Sequence, residues 1–107
     1  MAIIGIDLGT TNSLAAVWKD GEPVIIPNAH GERLTPSVVS IDDAHTVLTG
    51  ASAKERLITF PDHTIASFKR NMGLSSYYQI HRKMYSAVDL SSLILSQLKK
   101  DAERFLG

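Results

Sequence analysis

Short apolar runs dominate the first half of the chain, and a longer helical period takes over only at its end. Ala2 to Leu8 is rich in isoleucine and too short for a helix, and Ser13 to Trp18 is a second run of the same kind, so both predict strands. A link as short as Gly9 to Asn12 forces these two strands to run antiparallel, because a parallel return needs a crossover of about a dozen residues or more. Lys19-Asp20-Gly21 carries the Asp-Gly pair of a tight hairpin, and Val24 to Ile26 resumes the sheet until Pro27 and Asn28 end it, which predicts a three-stranded meander. Ser37 to Ile41 and Thr46 to Leu48 predict two further strands around an Asp42-Asp43 turn. Ala51 to Leu57 predicts a short helix. Ile65, Phe68 and Met72 fall on one helical face, so the spacing predicts a helix over Thr64 to Met72 that Gly73 would cap.

The strongest periodicity comes last. Leu90, Leu93, Ile94, Leu98, Ala102, Phe105 and Leu106 form one apolar stripe at helical spacing. Ser86 with Asp89 three residues on resembles a capping box with a shortened acid, and Gly107 stands where a left-handed C-cap belongs. Such a stripe demands a sheet to cover. The chain is therefore expected to be the N-terminal piece of a larger domain, and to self-associate through the last helix or the edge of the first meander, where apolar surface and an open strand edge would be left exposed.

Composition narrows the function. The chain has 107 residues, 11 basic and 11 acidic, with no cysteine. A chain of this size buries roughly 65% of the surface its unfolded form exposes, enough for one modest core. No basic stripe suits a phosphodiester backbone and no polybasic patch suits anionic lipid, which argues against nucleic acid and membrane partners. The start, an apolar run that contains an aspartate and lacks a basic n-region, does not read as a signal peptide, and no apolar run is near the roughly 20 residues of a membrane span, so a cytoplasmic location is expected. His30, His45, His63 and His81 lie far apart, with no i,i+4 pair and no thiol partner, which argues against a zinc site.

The polar knot Asp7-Leu8-Gly9-Thr10-Thr11-Asn12 is the candidate for chemistry. A glycine-containing turn can aim several backbone N–H groups at one point, and the threonine hydroxyls add donors, so the knot suits phosphate. A carboxylate at Asp7 would be repelled by phosphate unless a divalent cation stood between them. Hydrated Mg²⁺, which keeps several waters and meets one or two carboxylates plus phosphate oxygens, fits that role. An ordinary polar hairpin, in which Asp7 and Asn12 satisfy their own backbone, is the alternative. No Gly-Lys-Ser/Thr follows, so this is not a Walker loop.

Ile4-Gly5-Ile6-Asp7-Leu8-Gly9-Thr10-Thr11-Asn12-Ser13 resembles the first phosphate motif of the superfamily that includes actin, sugar kinases and the 70-kDa heat-shock chaperones. Pro27-Asn28, Gly31-Glu32-Arg33-Leu34-Thr35-Pro36-Ser37, Phe68-Lys69-Arg70-Asn71-Met72-Gly73 and Ala102-Glu103-Arg104-Phe105-Leu106-Gly107 follow in the order and approximate spacing of the DnaK-type 70-kDa heat-shock family. Between Gly73 and the last helix the chain is shorter than the common bacterial pattern, and Leu74 replaces the usual arginine. This is similar to the specialised HscC-like branch, and it puts in doubt the partner surfaces that the longer region would carry.

The resemblance implies an α/β fold, part of a ribonuclease-H-like lobe with an antiparallel meander and a C-terminal helix. Residues 1–37 and 86–107 would belong to the core lobe and 38–85 to a shortened peripheral subdomain. It implies the ATP-hydrolysing domain of a chaperone, with ATP or ADP and Mg²⁺ as cofactors, and unfolded client polypeptides and a J-domain co-chaperone as partners. Gly9, Thr10, Thr11 and Asn12 would hold phosphate, Asp7 would reach Mg²⁺ through water, and Lys69 would act catalytically by stabilising charge in phosphoryl transfer. Without the resemblance, Lys69 reads as a solvated helix lysine. By the same resemblance the second phosphate loop, further carboxylates, the adenosine pocket and the peptide-binding domain lie beyond Gly107, so the piece alone is expected to be inactive. A sugar-kinase fragment and a free-standing interaction module are the alternative readings.

Overall fold

Residues 3–74 and 76–107 are described in a computed structural model. Ala2, where the first predicted strand was to begin, and Ser75, in the shortened region, lie outside them. Strands β1 (Ile4–Leu8), β2 (Asn12–Lys19) and β3 (Glu22–Ile26) form the expected meander with β2 at its centre, and the two-residue β4 (Thr35–Pro36) pairs with the start of β2. Leu8 stands opposite Ser13 and Lys19 opposite Glu22, so both hairpins are antiparallel and tight. Asp20 and Gly21 turn the second one with φ of 52° and 84°, the double left-handed geometry that matches strand twist.

Alternation along β2 assigns its faces. Ser13, Ala15 and Val17 are buried, and Ala15 and Val17 pack with Ile26 against Ala102 of the last helix. The opposite face carries Leu14, Ala16 and Trp18, with Asp7 paired across from Leu14. Trp18 is 61% exposed, so it lies on the surface rather than in a core.

A second sheet has β5 (Val38–Ile41) between β6 (Val47–Thr49) and β7 (Thr64–Ala66), all antiparallel. The short helix predicted after it is two single turns, α1 (Ala51–Lys54) and α2 (Arg56–Thr59), meeting at Glu55. The predicted helix over Thr64 to Met72 does not form. All four residues of β5 are buried, and its second edge needs a strand, which Thr64–Ala66 supplies. The Thr64 hydroxyl locks this pairing at 2.8 Å from that of Ser40. Ser67 then turns left-handed at φ 57°, and only the one-turn 3₁₀ segment Phe68–Asn71 remains helical. Gly73 does take a positive φ of 82°, at the end of that turn rather than of a helix.

A hairpin not foreseen in the sequence, β8 (Tyr77–Ile80) with β9 (Lys83–Ser86), leads into α3 (Ala87–Leu106). Its Ser86 and Asp89 form the full capping box, each side chain bonded to the other's backbone N–H at 3.0 and 2.9 Å. Helix α3 joins the two sheets: Leu90, Ile94 and Leu98 pack with Val39 and Phe68, while Ala102 reaches the meander. The end of the predicted stripe stays open, with Phe105 and Leu106 each more than 40% exposed. Among the described residues no helix is long and apolar enough to cross a membrane. The histidines do not stay apart as their spacing suggested. The rings of His63 and His45 flank that of His81 at 4.2 and 5.0 Å.

Candidate phosphate loop and its supports

The knot is held in shape from behind. An added Cβ at Gly9 would run into the backbone carbonyl of Asn12, so the turn closes only with glycine there. Ser37 ties both arms of the loop: its hydroxyl donates to the Gly9 carbonyl at 2.8 Å and its N–H to the Thr11 carbonyl at 2.9 Å. The buried hydroxyls of Ser13 and Ser37 lie 2.8 Å apart and pin the following strand to the same point. With these carbonyls drawn toward Ser37, Thr10 and Thr11 sit at the tip of the link between β1 and β2.

Behind Ser37 stands a second brace. The Asn28 side chain accepts from the N–H groups of His30 and Glu32, and donates to the Leu34 carbonyl and the Thr35 hydroxyl. One asparagine thus organises the loop from Pro27 to Thr35 and delivers Ser37 to the knot.

Thr10 and Thr11 line a cleft of ≈ 120 Å³ together with Ser37, Lys54, Leu57 and Ser67. Lys54, at the end of α1, supplies a cationic side chain there that sequence reasoning missed. Its only signal was a position on a helix predicted to follow the second sheet. Lys69 is exposed on the 3₁₀ turn two residues after Ser67. That turn is anchored on one side by Phe68, 2% exposed in the cluster against which Leu8 also packs. On the other side Asn71 donates to the Tyr78 hydroxyl. The strand leading into the knot and the turn bearing Lys69 therefore share one hydrophobic root.

Lys69 itself is not among the residues that line the cleft, and Asp7 and Asn12 also stand apart from it. Asp7 is exposed on the outer face of the meander, outside the lining of this cleft, and makes no ion pair among the described residues. Asn12 is exposed and paired with Pro36 rather than turned into the cleft. A free carboxylate at a strand end, next to a glycine-closed turn and two hydroxyls, is a donor set that hydrated Mg²⁺ and phosphate would fit.

The sequence model of the family described as Hsp70 protein matches residues 3–82, more than half of the chain. The chain belongs to the Hsp70 family. The match spans the knot, the Asn28 loop, the Ser37 brace and the Lys69 turn, so each of these Hsp70 segments has a visible place in the fold. It also takes in most of the β8–β9 hairpin, up to the turn residue Arg82.

Proposed function

We propose that this chain is part of the ATP-binding and ATP-hydrolysing domain of an Hsp70 chaperone. In this proposal Gly9 to Asn12 receive phosphate and Asp7 meets a hydrated Mg²⁺. The observation that carries it is the loop itself, closed by a glycine with no room for a side chain and tied at two carbonyls to Ser37. A turn so fixed presents its donors without paying ordering entropy when an anion arrives. Mg²⁺, when bound, would neutralise phosphate charge between nucleotide and Asp7. Thr10 and Thr11 donate to phosphate oxygens, and Lys54 adds positive charge at the cleft wall. Lys69 stabilises the charge that grows on the transferred group.

The wider proposal follows the resemblance: a DnaK-type chaperone of the HscC-like branch, cytoplasmic, coupling hydrolysis to capture of client polypeptides with a J-domain partner. Residues 1–37 and 86–107 would belong to the ribonuclease-H-like core lobe and 38–85 to the peripheral subdomain.

The test is a titration of Mg²⁺·ATP followed by amide NMR on the 107-residue chain. Shifts concentrated at Gly9 to Asn12 and Ser37, with at best about millimolar affinity from a single loop, are the expected result. Amide shifts absent from that loop at saturating nucleotide would overturn the proposal. Self-association is expected as well, since Phe105, Leu106 and Trp18 are exposed and β1 pairs on one side only among the described residues. Sedimentation at micromolar concentration reads it directly, and a clean monomer would count against it.

A further inference from the structure

We propose that Asp43, His63 and His81 form a transition-metal site, suited to Zn²⁺, that clamps the β8–β9 hairpin onto the tip of the second sheet. Three separate connections supply the ligands. Asp43 lies between β5 and β6, His63 ends the one-turn segment Pro61–His63 before β7, and His81 is the first turn residue between β8 and β9. One ligand atom from each residue lies within 4.8 Å of those of the other two. Zinc with bonds of about 2.0–2.1 Å holds tetrahedral neighbours about 3.3 Å apart, so closure takes only small side-chain rotations. One of these separations is already close, with His63 Nδ1 at 3.9 Å from an Asp43 oxygen.

The imidazoles are prepared for this role. His81 Nε2 lies 2.9 Å from the Ile41 carbonyl, which can only accept, so Nε2 carries the proton and Nδ1 keeps the lone pair. A backbone carbonyl behind the ring is the support that metal-bound histidines use to fix tautomer and orientation. His63 Nδ1 is buried with no hydrogen-bond partner, a lone pair or proton left unanswered beside a carboxylate.

Backbone geometry holds the approach. The Asp42 carboxylate accepts from the N–H groups of Ala44 and Thr46 at 3.0 and 2.9 Å, which shapes the loop and leaves the Asp43 side chain 86% exposed and free to turn inward. His81 and Arg82 take φ of 51° and 65°, left-handed values at a turn where Asn-Gly would be at ease. The ring contacts of His81, to Ile41 and to His63, hold that strained turn in place.

Two imidazoles and one carboxylate select zinc over magnesium, which prefers oxygen ligands, so this site differs chemically from the one proposed at Asp7. Water would supply a fourth ligand, and the His45 ring packs 5.0 Å from that of His81. The Arg56 guanidinium is engaged elsewhere: it donates to the Ser40 hydroxyl at 2.7 Å and lies over the Phe60 ring.

Titration of zinc chloride into the untagged 107-residue chain, followed by calorimetry, tests the site. A single equivalent is expected to bind in the micromolar range or tighter, and magnesium chloride to give no heat. Zinc at a hundredfold excess over its dissociation constant should raise the thermal midpoint by about 10 °C or more. Co²⁺ should give the intense visible absorption of a four-coordinate ion. His63→Gln and His81→Asn should each weaken zinc by about 100-fold or more, asparagine being chosen because it accepts a left-handed turn, whereas His30→Ala should leave it unchanged. If His81→Asn does not fold, His63→Gln and Asp43→Asn, both outside the strained turn, decide. No zinc binding by the wild-type chain, or binding unaltered by these variants, overturns the proposal.

Discussion

Ile94→Ala is expected to remove about 3–4 kcal/mol of folding stability. Ile94 is fully buried and packs with Val39, Phe68, Leu90 and Leu98, so truncation loses transfer free energy and also leaves a cavity. A domain of this size has about 5–15 kcal/mol in total, so this one change would take a large share of it. The consequence reaches the candidate site, because Leu8 at the root of the Gly9–Asn12 loop and Phe68 beside Lys69 pack on the same cluster. Urea unfolding of the variant measures the loss. Leu95→Ala, one position on and 39% exposed, should cost less than about 1 kcal/mol. Equal effects at the two positions would show that the cluster is not the stabilising core.

The second large effect concerns catalysis. In an ATP-hydrolysing protein that carries these residues, Lys69→Ala should lower kcat about 100-fold, or about 2.7 kcal/mol of barrier, while nucleotide affinity changes little. The separation follows from where the charge acts. Lys69 is exposed on a short turn that Phe68 and Asn71 anchor, so its backbone is fixed by the turn and its side chain is not consumed by a local ion pair among the described residues. If Lys69 acts as proposed, its cation would strengthen its interaction as charge develops on the transferred phosphoryl group and would contribute less to the ground state. Single-turnover hydrolysis alongside a nucleotide-binding titration distinguishes the two contributions. An unaltered rate would return Lys69 to an ordinary solvated lysine. Asp7→Asn in the same protein should leave the lysine-dependent step intact and weaken the dependence on Mg²⁺.

What the sequence by itself determined is the local part of this architecture. Leu8 and Ser13 had to pair because four intervening residues cannot cross a sheet, Asp20-Gly21 had to turn because both accept positive φ, and the stripe from Leu90 had to be a helix with Ser86 as its cap. The knot was legible for the same reason, since a glycine between polar residues at a hairpin tip announces itself within six positions. Its support was not. From the sequence Ser37 is only the first residue of a predicted strand, and only the folded chain shows its hydroxyl and N–H gripping the loop from 28 and 26 residues away.

Tertiary structure also overruled periodicity at Thr64 to Met72. Ile65, Phe68 and Met72 do sit at helical spacing, but the buried β5 left backbone groups that a strand could satisfy and a helix could not, so pairing decided the conformation. The histidines show the same limit of spacing as a guide to proximity. Separation along the chain says nothing about residues carried on different turns, and three connections that end at one tip of the second sheet bring Asp43, His63 and His81 together. Spacing encodes a site when one helix or one loop supplies its ligands; when several turns do, only the packing of the sheets that carry them can.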